Sequence, residues 1–503
     1  QTTGFPYELG DNGEDMLLAN QDTLKKDCRK LVRSHNKSVT NSTKLPETHW
    51  ILLVKQILKA RDDALGRSGN EVRVDTHITF DKDKVLGSSL ATVYKGTFDG
   101  QVAAIKRIVQ QPEHSKEYLT KEARTLQEVS GPNIIQLFGH FLDNDFLYLA
   151  MEYADGGSLE TMVQESKFQK WADRRDVCQQ ICTGLHHLHD TCAMTHCDIK
   201  PQNILFKTTE TRQGKSLVVK ICDFGLSRKV GFDHTHKSIA SGIGAGTRKW
   251  MPPEGIRELG NKKMTTAERN VSYDVHPCAM VLFYVLSQGK YPFEGVRIDE
   301  VEQNIVKGRH VKELPRISVS GSSTGETGES KHSSSTINDL DDEMGRKEAM
   351  HLITRMLDSD PKRRPTMQAV LKHPFFMTPS EKLGLIRAGR DTKWLWLQNE
   401  YLNGKPSIRW MNLPRLKNVK TFFAGDEERH YRNSLAELAR FIRNVREHVY
   451  DCSNGKTDSD LAIFFEVDEV RREDTNATDD MLVKYFASAV PNLFCALLKW
   501  PVG

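Results

Sequence analysis

The chain lacks a run of about 18 consecutive apolar residues, so the sequence predicts no membrane-spanning helix. We also expect no secretory signal peptide within the sequence. Its nine cysteines contain no CxxC pair and no regular spacing. That distribution is typical of free thiols in a reducing compartment rather than of a disulfide framework.

An excess of charge of either sign is also lacking, because 71 lysines and arginines nearly cancel 67 aspartates and glutamates, for a net charge of +4 over 503 residues. Bulk charge therefore indicates neither a nucleic acid nor a membrane surface as the partner. The 38% hydrophobic and 27% charged fractions predict a globular chain of two or three domains. We expect a cytoplasmic location. Since the sequence begins with Gln1 rather than methionine, this expectation includes the cytosolic part of a membrane protein whose sensor or anchor lies upstream.

The segment 195–205 carries an acid, a lysine and an amide at the spacing that phosphoryl transfer needs. Asp198 is suited to accept the proton of a substrate hydroxyl, and Lys200 to neutralise charge on the moving phosphoryl group. Asn203 and, in a C-D-F-G string downstream, Asp223 are the predicted metal ligands. These two strings, in this order, resemble the catalytic core of protein kinases.

Other residues match the nucleotide-binding half of that pattern. The predicted set is Gly87 and Val93 in a phosphate-covering loop, Ala104 and Lys106 on a buried strand, Glu122 on the next helix, and Glu152 and Ala154 where adenine would bind. Lys106 would contact the α- and β-phosphates and pair with Glu122, for which a solvated helix charge is the alternative interpretation. The expected cofactors are ATP or ADP with Mg²⁺, bound at the kinase site alone. Glu254 is expected to pair with Arg364, and Asp274 to support the catalytic loop.

Two departures from the kinase pattern concern regulation and affinity. The phosphate loop keeps one glycine, Gly87, where three are usual, so its backbone should approach phosphate less closely. Cys197 stands where most kinases have an arginine that reads a phosphate on the activation loop. Phosphorylation of that loop should therefore be coupled less tightly to catalysis.

The resemblance to protein kinases, together with the composition along the chain, implies an α+β fold with three parts. Residues 1–75 form a helical or linker region of unassigned role, with amphipathic helices expected near 17–32 and 50–65. A bilobal protein kinase domain follows at 76–376 and contains a flexible Ser- and Gly-rich insert at about 316–345. Residues 377–503 have apolar periodicity and enough aromatic side chains for a small all-helical domain.

One helix in this tail carries candidate chemistry. Ser434 and Glu437 form a sequence capping box, and Leu435, Leu438, Ile442 and Val445 make an apolar stripe behind it. Asn444 and His448 lie one turn apart on another face, next to Arg443. On pattern alone, this polar group is more often a solvated face than an active site.

A kinase domain that ends in His-Pro-Phe-Phe and is followed by this helix resembles the kinase-extension nuclease family. That family includes the Ire-type unfolded-protein sensor kinases and ribonuclease L, and the helix itself is most similar to ribonuclease L. The resemblance implies a dimerisation-activated, nucleotide-regulated endoribonuclease with a serine/threonine kinase domain. It assigns RNA cleavage to Tyr431, Arg443, Asn444 and His448.

These residues suit cleavage by the RNA 2′-hydroxyl. His448 would act as general acid, Tyr431 would orient or deprotonate the hydroxyl, and Arg443 with Asn444 would hold the phosphate. No carboxylate pair accompanies them, so we expect no metal in this step and a 2′,3′-cyclic phosphate product. The expected partners are ATP, single-stranded RNA loops and a second copy of the chain. Two alternatives remain: a conventional serine/threonine kinase whose tail only dimerises, and an ATP-binding pseudokinase scaffold.

Overall fold

A computed structural model gives the fold of the chain. It describes residues 21–38, 53–54, 71–88, 91–109, 123–142, 146–212, 214–229, 248–260, 270–315, 337–388, 435–450 and 474–489. The backbone divides into two compact units. The first unit comprises 1–130 and 135–155, and the second comprises 131–134 and 156–503. Each unit is described by itself below.

The first unit is built on a six-stranded antiparallel sheet, whose order is β1-β2-β3-β4-β6-β5. The strands are β1 (Glu71–Arg73), β2 (Ile78–Ser88), β3 (Thr92–Phe98), β4 (Gln101–Val109), β5 (Leu137–Leu142) and β6 (Phe146–Glu152). Strand β6 is buried along its whole length, as its continuous apolar sequence predicts. The sheet starts with β1 and therefore includes residues before position 76.

A helix from the N-terminal region completes the core of this unit. Helix α1 (Gln21–Ser38) places Cys28 and Val32, which are 0% and 2% exposed, in the same apolar cluster as Phe80 and Tyr148 of the sheet. Leu53 and Val54 belong to this cluster as well. The region before residue 71 is therefore part of the packed unit, at least at these positions.

The second unit is mainly helical. Its helices are α2 (Leu159–Gln164), α3 (Trp171–His186), α4 (Pro253–Gly260), α5 (Ser272–Leu286), α6 (Ile298–Val306), α7 (Ile337–Met356), α8 (Met367–Leu371), α9 (Pro379–Ala388), α10 (Leu435–Tyr450) and α11 (Thr475–Ala489). Its short strands are β7 (Gly157–Ser158), β8 (Met194–Thr195), β9 (Ile204–Thr211), β10 (Gly214–Ile221) and β11 (Arg228–Lys229). Strand β9 pairs with β7 and β10, and β8 pairs with β11.

Helix α5 is the buried centre of this unit. It is apolar on nearly all sides, and 13 of its 15 residues are buried, which is the expected environment for such a sequence. Helices α3 and α7 pack against it. Because neighbouring elements cover α5, the side chains in its first turn, including Asp274, are held in fixed positions.

The described part of the C-terminal tail consists of helices α9, α10 and α11. Helix α9 contacts α10 and α11, and α11 also contacts α7. A buried ion pair joins α9 to α7: Lys382 Nζ lies 2.8 and 2.7 Å from the two carboxylate oxygens of Glu348. The tail helices are therefore packed directly onto the helices that precede them.

Two element bounds differ from the sequence expectation. Helix α1 continues to Ser38, beyond the expected end near residue 32, because 33–38 contains neither glycine nor proline to stop it. Helix α7 already begins at Ile337, within the expected insert. Its acidic run at 339–343 lies in the first turns, where negative charge is favoured by the helix dipole. Among the described residues, no helix is both long and apolar enough to cross a bilayer.

Candidate active sites

The catalytic-loop residues of the second unit are joined by short hydrogen bonds. Lys200 Nζ donates to Asp198 Oδ2 at 2.6 Å, and the side-chain amide of Asn203 donates to the same oxygen at 2.9 Å. Asn203 also donates to the backbone carbonyl of Asp198 at 2.8 Å. Both side-chain donors bind Oδ2, so neither of these two hydrogen bonds occupies Oδ1, the other oxygen that could accept a hydroxyl proton.

The two predicted metal ligands are brought together by backbone pairing. The amide of Cys222 donates to the carbonyl of Asn203 at 2.9 Å, so Asp223 directly follows a residue bonded to Asn203. The hydrogen bonds of Asn203 to Asp198 use its amide nitrogen, which leaves the amide oxygen for a cation. A carboxylate and an amide oxygen on adjacent segments are hard oxygen donors, and this donor set fits Mg²⁺. Asp223 has a backbone in the left-handed region (φ 69°), a strained conformation that is found most often at active sites and ligand-binding sites.

Asp274 hydrogen-bonds the backbone of the catalytic loop. It is fully buried in the first turn of α5. Its two oxygens accept the backbone amides of His196 at 2.7 Å and Cys197 at 2.8 Å, and His189 Nε2 lies 2.9 Å away. The expected supporting role of Asp274 agrees with this geometry. Cys197 itself has a φ of 68°, which is uncommon for a non-glycine residue and costs about 1 kcal/mol or more.

His196 connects the catalytic loop to the C-D-F-G segment. Its Nδ1 accepts the amide of Asp198 at 3.3 Å, so the proton is on Nε2, which donates to the carbonyl of Cys222 at 3.0 Å. The ring also lies 4.9 Å from that of Phe224. The two segments that carry Asp198 and Asp223 are thus tied through one buried imidazole.

The pairing of Glu254 with Arg364 is confirmed. Two parallel bonds of 2.7 and 2.8 Å join the guanidinium to the carboxylate, and the Arg364 side chain is fully buried. Arg364 also donates to the carbonyls of Ser272 and Asp358. The arginine therefore fixes the start of α4 against the segments around α5.

The first unit carries the predicted nucleotide-binding residues on its sheet. Lys106 on β4 lies opposite Val93 on β3 and Leu149 on β6, and Ala104 lies two residues earlier on the same strand. Glu152 ends β6 and is buried, and Ala154 follows it half-buried.

The phosphate loop of this unit is only partly described. Gly87 pairs with Val93, and a Cβ added to Gly87 would meet no atom within 4 Å. Packing therefore does not require glycine there, and the register shift between Val85 and Gly87 marks an irregularity of the strand at this point. Residues 89–90 and Glu122 lie outside the described residues, so the Lys106–Glu122 pair stays a prediction.

In the tail, α10 presents part of the predicted nuclease group. Arg443 Nη2 lies 3.4 Å from Asn444 Oδ1, and both side chains are half-buried. Leu438, Ile442 and Val445 of the expected stripe are buried, and Phe441 and Val449 add to it. The side chain of Leu435, the fourth expected member, is not among those described. Tyr431 and Ser434 lie outside the described residues. His448 belongs to α10, one turn after Asn444, but its side chain is not among those described.

Sequence reasoning missed the groups that hold α10 in place. Arg446 forms two bonds of 2.8 and 2.7 Å with Asp479 of α11, whose side chain is 1% exposed. Phe441 meets Phe486 of α11 edge-on at 6.3 Å. No local signal could have found Asp479, because a partner 33 positions away follows from tertiary packing alone.

A buried histidine pair at the end of the kinase-like region was also missed. His373 Nδ1 accepts the amide of Phe375, so its Nε2 donates to His351 Nδ1 at 2.9 Å. Burial, with a smaller contribution from the nearby Arg355, lowers the pKa of His351 to about 4. Burial likewise holds the pKa of His373 well below its usual value. Both rings are therefore neutral at neutral pH.

Comparisons with known proteins extend over most of the chain. A family model described as "Protein kinase domain" matches residues 80–376. The serine/threonine-protein kinase/endoribonuclease ire-1 of Caenorhabditis elegans is 29% identical over 85% of this chain and 39% of its own length. The corresponding protein IRE1 of Hypocrea jecorina is 26% identical over 83% of this chain, and human IRE2 is 27% identical over 83%. The chain spans 34% to 40% of the length of these three curated relatives.

Proposed function

The chain belongs to the protein kinase family, in the group of Ire-type kinase-extension nucleases, and from this premise we propose that it is both a serine/threonine protein kinase and a nucleotide-regulated endoribonuclease. The observation that carries the proposal is the extent of the similarity. The kinase family model ends at residue 376, whereas the alignment to the Caenorhabditis elegans kinase/endoribonuclease spans 444 residues. An alignment of that length must include residues outside the kinase domain.

In the proposed kinase reaction, Asp198 accepts the proton of a serine or threonine hydroxyl as the hydroxyl oxygen attacks the γ-phosphorus of ATP. The bond from the γ-phosphorus to the bridging oxygen breaks, and ADP leaves. Lys200, 2.6 Å from Asp198, neutralises charge on the transferred group. Lys106 binds the α- and β-phosphates, and the backbone at Glu152 and Ala154 hydrogen-bonds adenine. Mg²⁺, held by Asn203 and Asp223, supplies charge neutralisation at the phosphates when bound. The retained charges support this activity despite Cys197 and the single Gly87.

In the proposed nuclease reaction, the RNA 2′-oxygen attacks the adjacent phosphorus and the 5′-oxygen leaves. Tyr431 orients the 2′-hydroxyl and takes its proton, and His448 gives a proton to the leaving oxygen. The guanidinium of Arg443 and the amide of Asn444, which lie 3.4 Å apart at their closest, bind the phosphate oxygens. The product strand ends in a 2′,3′-cyclic phosphate. The proposed reaction uses no metal ion, since the charge that develops on the phosphorane would be neutralised by Arg443.

We propose that a nucleotide in the kinase domain controls cleavage by favouring a homodimer. The supporting observation lies within the second unit, where α11 packs on α7 and the buried Lys382–Glu348 pair joins α9 to α7. Through these contacts, a change in the kinase helices would be transmitted to the tail helices. The proposed site of action is the cytoplasm.

The decisive test is cleavage of a fluorescent stem-loop RNA in EDTA, with and without ADP. The wild type is compared with His448→Ala and with His140→Ala, an exposed histidine of the first unit that serves as the matched control. We expect cleavage by the wild type and the control and none by His448→Ala, with a cyclic phosphate detected by mass spectrometry. Equal cleavage by all three proteins would overturn the nuclease assignment.

Dimer control is tested by dilution of the wild type at saturating ADP. The rate of cleavage per chain should fall as the protein concentration drops below the dimer dissociation constant. A rate per chain that stays constant while sedimentation shows dissociation into monomers would refute dimer control. Asp198→Asn, assayed in parallel, should abolish phosphoryl transfer and leave ADP-supported cleavage in place.

A further inference from the structure

Helix α1 has two opposite faces of different character. Its apolar face carries Cys28 and Val32 into the core of the first unit. At about 100° per residue, Lys26, Lys30, Arg33 and Lys37 project within about 60° of one another on the far side of the helix. All four of these side chains are exposed, and together they are called the basic face below.

The basic face is uniform in sign. The exposed side chains described on α1 are those of the basic face and Ser34, and none is acidic. The whole helix has six lysines and arginines against two aspartates, a formal charge of +4, which equals the net charge of the entire chain. An ordinary solvated helix face mixes both signs, so this concentration of one sign needs a reason.

The buried face of α1 makes the basic face a fixed array. Because Cys28 and Val32 are packed against the sheet, the helix cannot rotate without opening the core. Lys26 and Lys37 are eleven positions apart, so the array extends about 16 Å along the helix. Four charges in a row over this length match a polyanion with regularly spaced charges better than a single small anion.

We propose that the basic face binds the phosphate backbone of RNA outside the cleavage site. This inference rests on the proposed function, in which RNA is the substrate. The described exposed face has no aromatic side chain on which a base could stack, so binding should be independent of sequence. An anionic membrane fits less well, because an interfacial helix inserts its apolar face, and here that face is already buried in the protein.

The expected effect follows from counterion release. For single-stranded nucleic acid, the slope of log K against log salt is about −0.7 per phosphate neutralised, so four contacts contribute about −2.8. Between about 50 and 200 mM salt, this part of the slope corresponds to a loss of affinity of about 50-fold. A variant without the basic face should lack that part of the salt dependence.

The experiment measures binding of the full chain to a fluorescein-labelled, 2′-O-methylated single strand, which cannot be cleaved, by anisotropy over that salt range. In the test variant, Lys26, Lys30, Arg33 and Lys37 are changed to glutamine, which preserves helix propensity. In the matched control, three lysines and one arginine that are exposed in the second unit are changed to glutamine: Lys290, Lys307, Arg309 and Lys312. Thermal unfolding monitored by circular dichroism verifies that both variants are folded.

We expect the test variant to lose about 2.8 of the slope and the control to retain the wild-type slope. Parallel slopes for all three proteins would overturn the proposal. So would a test variant that binds RNA normally but no longer floats with phosphatidylserine vesicles, because the face would then serve a membrane. A failed nuclease assignment is distinguishable, since His448→Ala in the cleavage assay is independent of this uncleavable ligand.

Discussion

The buried Glu348–Lys382 pair makes a strong prediction about stability. Both side chains are 4% exposed and lie 2.7 Å apart at their closest. At an effective dielectric constant of about 20, their attraction is about 6 kcal/mol, which is comparable with the several kcal/mol needed to desolvate each ion. The intact pair should therefore add little net stability. Lys382→Met should nevertheless cost about 3–5 kcal/mol, since it leaves a buried carboxylate without its partner.

A double-mutant cycle isolates this interaction. Lys382→Met and Glu348→Gln are each expected to destabilise strongly, whereas the double variant should recover most of the loss. The assay is denaturant unfolding of the full chain, followed by circular dichroism. Lys167→Met is the matched control: its partner Glu165 and Lys167 itself are about half exposed, so the change should stay within about 0.5 kcal/mol. If the two single costs are small and simply add, the argument from burial is wrong.

Three further predictions concern α7 and α5. The pKa of His351 is lowered to about 4, so between pH 6.5 and 4 the unfolded chain binds this proton and the folded chain does not. The free energy of unfolding should therefore decrease by about 1.4 kcal/mol for each unit by which the pH is lowered. Denaturant unfolding of His351→Gln should show a pH slope smaller by that amount, and an unchanged slope would refute the argument. Gly345→Ala should lower the free energy of unfolding by about 1–3 kcal/mol in the same assay, because the added Cβ would lie 2.4 Å from Trp171 Nε1. The control is Gly384→Ala on α9, where the added Cβ would have no atom within 4 Å. That variant should be more stable than the wild type by about 0.5–1 kcal/mol, because alanine favours a helix more than glycine does. If both glycine variants behave alike, the close packing at Trp171 is not real. Asp274→Asn should reduce phosphoryl transfer at least tenfold with little change in the KM for ATP, because the loop amides lose an acceptor; unchanged turnover would show that the loop holds its shape without it.

The kinase fold was predictable because its signals are local. The strings around Asp198 and Asp223 have fixed spacing, and the continuous apolar run of β6 predicts a buried strand. The distant pairing of Glu254 with Arg364 was predicted only through the resemblance to kinases. The start of α7 at Ile337 was not predicted, because the acidic run at 339–343 is typical of a solvated segment. In the folded chain the same acidic residues lie at the start of a helix, where the helix dipole favours negative charge.

The candidate nuclease group was predictable to a smaller extent. Helical spacing places Asn444 and His448 on one face, but only the family resemblance assigns them a reaction. The Arg446–Asp479 ion pair could not be predicted, since no residue pattern in either helix indicates a partner in the other. Buried pairs of this kind depend on the packing of α10 against α11, and that packing geometry cannot be derived from local patterns in a single sequence.

The packing of α1 has a consequence for what counts as the kinase domain. The family model begins at residue 80, yet Cys28 and Val32 share a core with Phe80 and Tyr148. The span of the family model is therefore smaller than the unit of folding. A chain cut at residue 80 would expose an apolar surface that α1 covers and would be prone to self-association. The N-terminal helix is better regarded as an outer layer of the kinase sheet than as a leader to it.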